Sequence, residues 1–172
     1  MVNVVLISDG ERHDWYNWLS SELVKRGHSF LLPVMPNRGS SFDDWVLALK
    51  EFRKHLDESS IIIGHGAGRA VVLKVLEEKL KEVKGAFFIS GLPFSKVVKD
   101  FSLDDFDFSA VGVKAKNFYV YASENDDSLS LKESEALADL LHDDVLILED
   151  NMYFNGSDKF EDLLIDILSL VD

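Results

Sequence analysis

The sequence predicts an α/β protein whose parallel sheet carries helices on both faces. Short apolar, β-branched runs alternate with helix-period segments along the whole chain, the pattern of repeated βαβ units. Six such runs occur, and no internal repeat or low-complexity linker separates them. The third run, Ile61-Ile62-Ile63, enters Gly64-His65-Gly66-Ala67-Gly68, and a helical pattern starts at once.

Taken in order, VNVVLIS (2–8) is the first strand. The next segment is helical, with Trp15, Trp18, Leu19, Leu23 and Val24 assigned to its apolar face and Gly27 as a stop signal. SFLLPVM (29–35) is a second strand, and Pro33 places it at a sheet edge because proline cannot donate to a ladder. Ser41 is the expected N-cap of one helix carrying Trp45, Leu49, Phe52 and Leu56. SSIIIGH is the third strand, and Ala70, Val71, Val75, Leu76 and Leu80 line the helix after it. Strands four to six are GAFFIS (85–90), AKNFYVYAS (115–123) and DVLILE (144–149), with helices near 131–141 and 157–171.

Between strands four and five, residues 92–114 form an insert rich in apolar side chains: Phe94, Val97, Val98, Phe101, Phe106 and Phe108. Such an insert lies beyond the carboxyl ends of the strands, where α/β sheets bind ligands. It reads equally as a small lid or as core packing. The chain as a whole, 1–172, reads as one domain, long enough to bury roughly two-thirds of its unfolded surface.

Composition narrows the function classes. With 47% hydrophobic residues and a mean hydropathy of +0.00, the chain has the composition of a soluble globular protein. No apolar run approaches the ~20 residues of a membrane span, and the start lacks the basic flank of a signal peptide, so a cytoplasmic location is expected. The absence of cysteine removes disulfides, thiolate metal sites and cysteine nucleophiles. Net charge is −13, and after residue 100 there are 18 acids against 4 lysines. That field repels phosphate backbones, which argues against nucleic acid and anionic membranes as partners. A small molecule or another protein remains open, and no cofactor is indicated.

The turn at 64–68 has the outline of a nucleophile elbow, G-x-S-x-G, but its centre is Gly66. The segments HDWYNWLSSELVKRGH, LLPVMP, IIIGHGAG, YASENDDSLSLKESEALADLL and EDNMYFN occur in the order seen in one group of enzymes. On these segments the chain resembles the small α/β-hydrolase (serine hydrolase) family typified by retinoblastoma-binding protein 9 and its bacterial YdeN-like relatives. The resemblance implies a three-layer α/β-hydrolase-like sandwich on a six-stranded parallel sheet of order 2-1-3-4-5-6. It also implies a Ser-Asp-His triad, whose positions fall here on Gly66, Asp126 and Tyr153, with Asp127 as a second candidate for the acid.

Two of those three groups cannot perform the triad's chemistry. Glycine offers no nucleophile, and a phenol with a reference pKa near 10 is a poor base at neutral pH. The chain therefore reads as a binding or regulatory pseudoenzyme. The alternatives are an esterase or amidase with a displaced nucleophile, Ser123 for preference, and an interaction module using the acidic C-terminal half. A phenol-to-carboxylate hydrogen bond from Tyr153 to Asp126 is expected as a remnant of the acid–base pair.

If the cleft binds a ligand, Ala67 N–H and a donor near Gly10 form its oxyanion-type pair, and His65 and Ser123 stand beside them. His65 otherwise supports the loop, His13 is a local cap or surface group, and His28, His55 and His142 are surface histidines. Ser90 and Ser123 end strands at the functional rim. The acids at 124–127 lack EF-hand spacing, and no metal centre is expected.

Overall fold

The computed structural model describes all residues except 38, 79, 80, 98–100, 151 and 172. Leu80 and Val98, assigned above to a helix face and to the insert, therefore lie outside the described residues. The strands are β1 (Asn3–Ile7), β2 (Ser29–Leu31), β3 (Ser60–His65), β4 (Gly85–Ile89), β5 (Phe118–Ser123) and β6 (Val145–Leu148). They form one parallel sheet of order β2-β1-β3-β4-β5-β6. The order reverses between β1 and β3, whose register pairs Ile7 with Gly64. The carboxyl ends of these two strands thus open at the switch point where α/β sheets place ligands.

The helices are α1 (Asp14–Lys25), α2 (Phe42–Ala48), α3 (Lys50–Arg53), α4 (Gly68–Glu78), α5 (Phe94–Val97), α6 (Phe108–Val111), α7 (Ser128–Leu141) and α8 (Glu161–Ser169). One sheet face is covered by α1 and α8, which bring Trp15, Leu19, Leu163 and Ile167 against β1, β3 and β4. The opposite face carries α2, α4 and α7, through Trp45, Val71, Leu76 and Leu137. Among the described residues no helix is long and apolar enough to cross a membrane.

Local chemistry explains where the elements begin and end. Ser41 caps α2 in a reciprocal box with Asp44. Asp127 caps α7 by accepting from the Leu129 and Ser130 N–H groups, starting that helix three residues before the expected 131. The helix expected across 42–56 divides at Leu49, which joins α2 to α3; Trp45, Leu49 and Leu56 are buried as expected. On α1 the buried face is Trp15, Tyr16, Leu19 and Leu23, whereas Val24 is 59% exposed. Val24 lies nine residues from Trp15, about half a turn round the helix at ~100° per residue, and so faces away from the sheet. The edge strand β2 stops at Leu31, short of Pro33.

The insert packs inward. Val97 and Val111 join the core beside α4, and the Phe101 and Phe106 rings meet Phe42 of α2 at 5.5 and 6.1 Å between centroids.

The tightest constraint lies where β3 turns into α4. A Cβ on Gly68 would stand 1.9 Å from the Ile7 carbonyl oxygen, and one on Gly64 would stand 2.7 Å from Arg69 Cα. Both obstacles are backbone, so neither can move without displacing β1 or α4. Gly68→Ala is therefore expected to cost at least about 3 kcal/mol of stability, at the upper end of overpacking effects. Gly27→Ala meets no atom within 4 Å and should cost only about 1 kcal/mol for its left-handed backbone. Urea denaturation of the two variants checks the order.

Candidate functional site

Residue 66 begins the turn out of β3. Its backbone is left-handed (φ +57°), and its N–H donates to the Ile89 carbonyl at 3.0 Å. A side chain here would have nowhere to go. An ideal Cβ would lie 2.8 Å from Asp9 Cβ and 3.1 Å from an Asp9 carboxylate oxygen. Gly91 closes the other side, since a Cβ on it would stand 2.4 Å from Gly66 Cα. Beneath the turn, the fully buried Arg69 donates from Nε to the Gly66 carbonyl at 3.0 Å and from Nη1 to Ser134 Oγ at 3.2 Å. Its guanidinium lies 4.5 Å from the Phe94 ring centroid. Burial pushes this guanidinium down to about 10, opposed by the Glu133 and Asp126 carboxylates, so it stays charged at neutral pH.

The positions expected for acid and base are joined to this turn through backbone groups. Asp126 accepts from Ser90 Oγ, from Ser123 N–H at 2.9 Å and from Tyr153 N–H at 2.7 Å. The Tyr153 carbonyl in turn accepts from His65 Nε2 at 2.9 Å. The phenol does not reach Asp126 as expected; it donates to Asp127 instead. The reason is local backbone. Tyr153 and Phe154 both adopt positive φ, 59° and 57°, which turns the Tyr153 N–H to Asp126, its carbonyl to His65 and its ring out to the α7 cap. Burial, then the Asp127 hydrogen bond and charge, raise the phenol well above its ordinary value.

His65 is completely buried. With Nε2–H given to Tyr153, Nδ1 keeps its lone pair and accepts from the Tyr16 hydroxyl at 2.6 Å. Burial lowers the imidazole to about 4, against the opposing pull of Asp9, so it is neutral at physiological pH. His13 is also buried, contrary to the expectation of a cap or surface group. It occupies the N-cap position of α1 but makes no side-chain cap bond. Its ring instead packs edge-on against His65, 4.7 Å between centroids, and against Tyr16 at 5.1 Å. Asp9 completes the group, with Oδ1 3.8 Å from His13 Nε2. Burial alone would raise the Asp9 carboxyl, but the adjacent imidazoles and the Glu11 N–H hold it well below the usual carboxylate range.

Sequence reasoning missed Asp9. The one available signal was its place just after β1, beside the end of β3 once the strand order is known.

The remaining candidates are placed as follows. The Gly10 N–H, expected as the second oxyanion donor, is directed to Ser8 Oγ at 3.2 Å. Ala67 is buried at the start of α4. Ser123 is fully buried, and its hydroxyl donates to the Asp150 carbonyl at 2.8 Å. Ser90 is spent on Asp126. His28 is half-buried and accepts from the Val2 N–H at 3.4 Å, whereas His55 and His142 are exposed.

Comparison with known proteins places this geometry. The serine hydrolase family model matches residues 7–166. The YdeN protein of Bacillus subtilis (strain 168) is 28% identical over 149 residues, covering 80% of this chain and 78% of that one. The crystal structure of the B. subtilis ydeN gene product matches with a TM-score of 0.89 at 22% identity, covering 99% of both chains. The YdeN-like protein of Pectobacterium atrosepticum gives 0.72 at 17% identity, covering 99% of this chain and 90% of that one. Polyneuridine aldehyde esterase gives 0.70 at 13% identity over 100% of both. At these identities the structural matches establish the fold.

Two predictions follow from the packing at residue 66 and the burial of His65. Gly66→Ser alone is expected to lose about 2–4 kcal/mol, combining overpacking with a left-handed side-chain-bearing residue. Adding Asp9→Gly should return at least about 1 kcal/mol of that loss, a coupling that a double-mutant cycle of denaturation midpoints reads directly. His65 in the folded chain titrates near 4, below its ordinary 6.5, so the unfolded chain binds more protons between those values. Its contribution is therefore complete above about pH 6.5 and falls away as pH drops toward 4, by about 3 kcal/mol in the limit. Asp9 acts in a lower window, below its ordinary 3.8. Urea midpoints from about pH 7 to about pH 4 should show the first loss, and His65→Asn should abolish that slope.

Proposed function

We propose a non-catalytic role for this protein, starting from one premise: the chain belongs to the serine hydrolase family. Within that family we read it as a binding or regulatory member that has lost the acyl-transfer machinery. The observation that carries this reading is the occupancy of the nucleophile position. Residue 66 has no side chain, and the space where one would begin is taken by Asp9.

Three further arrangements support it. The Tyr153 phenol stands at the base position with its proton donated to Asp127. The Asp126 carboxylate is filled by three donors and has no imidazole to orient. The displaced-nucleophile alternative is weakened because the Ser123 hydroxyl is buried and committed to the Asp150 carbonyl. An acyl transfer needs a hydroxyl, a base within reach of it and a donor pair facing the developing oxyanion. Here the Ser123 hydroxyl, the Tyr153 phenol and the Gly10 N–H are each bound to something else.

On the same reading the 92–114 insert is packing rather than a lid, because Val97 and Val111 lie in the core and Phe101, Phe106 and Phe108 pack against it. A soluble, cytoplasmic setting suits the composition.

The test is chemical. A fluorophosphonate probe should leave the purified protein unlabelled at stoichiometric levels, and p-nitrophenyl acetate should turn over no faster than in buffer. Labelling of one serine together with ester turnover, both abolished by substituting that serine, overturns the reading.

A further inference from the structure

The three groups beside the disarmed elbow suggest a different chemistry from the one it has lost. Asp9, His13 and His65 are all buried, and one donor atom from each lies within 4.8 Å of the others. We propose that Asp9 Oδ1, His13 Nε2 and His65 Nδ1 form a binding site for a divalent transition-metal ion of the zinc type.

Two independent observations carry this. The first is the convergence itself: two imidazoles and one carboxylate are a donor set that suits zinc and its neighbours. The second is His13 Nε2, a buried nitrogen with no hydrogen-bond partner, on a side chain only 6% exposed and pointing at the Asp9 carboxylate 3.8 Å away. A buried polar atom left unsatisfied costs about 1–3 kcal/mol, which an ion between it and Asp9 would recover.

The second shell is already of the right kind. A ligating histidine generally donates its other ring N–H to a carbonyl or carboxylate, which fixes the tautomer. His65 does this through Nε2–H to the Tyr153 carbonyl, leaving Nδ1 as its donor. Metal bonds of about 2.0–2.1 Å hold neighbouring donors about 3.4 Å apart, so each donor has to close in by less than about 1 Å. The protonation states also fit, since His65 is neutral and Asp9 ionised near pH 7. Metal entry exchanges the Tyr16 O–H···Nδ1 bond for a metal–Nδ1 bond, so the Tyr16 hydroxyl competes with the ion rather than helping it.

The site does not depend on the non-catalytic reading. Zinc chloride titrated calorimetrically into metal-free protein near pH 7 should show one equivalent bound, with a rise in melting temperature. Asp9→Asn and His13→Gln, on different elements, should each weaken binding at least about tenfold, with far-UV circular dichroism confirming that the variants are folded. Tyr16→Phe should bind at least as tightly as the parent. Asp139→Asn with Asp144→Asn, a change to exposed acids, should leave the isotherm unchanged. No binding overturns the proposal, and so does binding that survives both Asp9→Asn and His13→Gln, because the ion would then sit on the acidic surface. Ester hydrolysis that appears only with zinc bound would instead overturn the non-catalytic reading and leave the metal site standing.

Discussion

The contact of Gly68 with the Ile7 carbonyl fixes where everything else can stand. β3 must run into α4 without a side chain on the inner face of the turn, because the backbone of β1 lies where a Cβ would be. That approach seats the first turn of α4 against the end of β1. Arg69 is then forced inward, where its Nε holds the Gly66 carbonyl and its plane rests near Phe94. A buried guanidinium is tolerable only because of these contacts and the nearby Glu133, 3.7 Å from Nη2. The elbow's shape is thus set by packing between β1, β3 and α4.

A second layer of constraint runs through Tyr153. Its backbone is held in a left-handed conformation, and the three polar groups of this one residue reach Asp126, His65 and Asp127. A left-handed non-glycine residue costs roughly 1–2 kcal/mol, and two occur in succession here. Three hydrogen bonds, two of them to carboxylates, are enough to offset that cost. The loop after β6 is thereby tied to the ends of β3 and β5, and this region is a structural joint.

The sheet order, the edge placement of β2, the Ser41 cap and the elbow were legible because each rests on local pattern or on a family resemblance spanning the chain. The Val24 error came from counting apolar residues without following the helical angle. The division at Leu49 carried no glycine or proline to announce it. The site was less legible than the fold. Gly66, Asp126 and Tyr153 could be aligned, but the direction of the Tyr153 phenol depended on two positive φ angles that no residue type demanded. Asp9 and His13 were hidden for a related reason. Their roles arise from strand order, which brings the loop after β1 against His65, far away in sequence.

Gly66 and Asp9 are sterically coupled. A serine at 66 and an aspartate at 9 would compete for the same few ångströms, so each excludes the other in its present conformation. With no side chain at 66 there is room for the Asp9 carboxylate, which lies beside two buried imidazoles. Where acyl transfer needs donors around a developing negative charge, this site places the Asp9 carboxylate beside the rings of His13 and His65. A carboxylate so placed disfavours an oxyanion at this turn and suits a cation, which is the electrostatic basis of the proposed metal site.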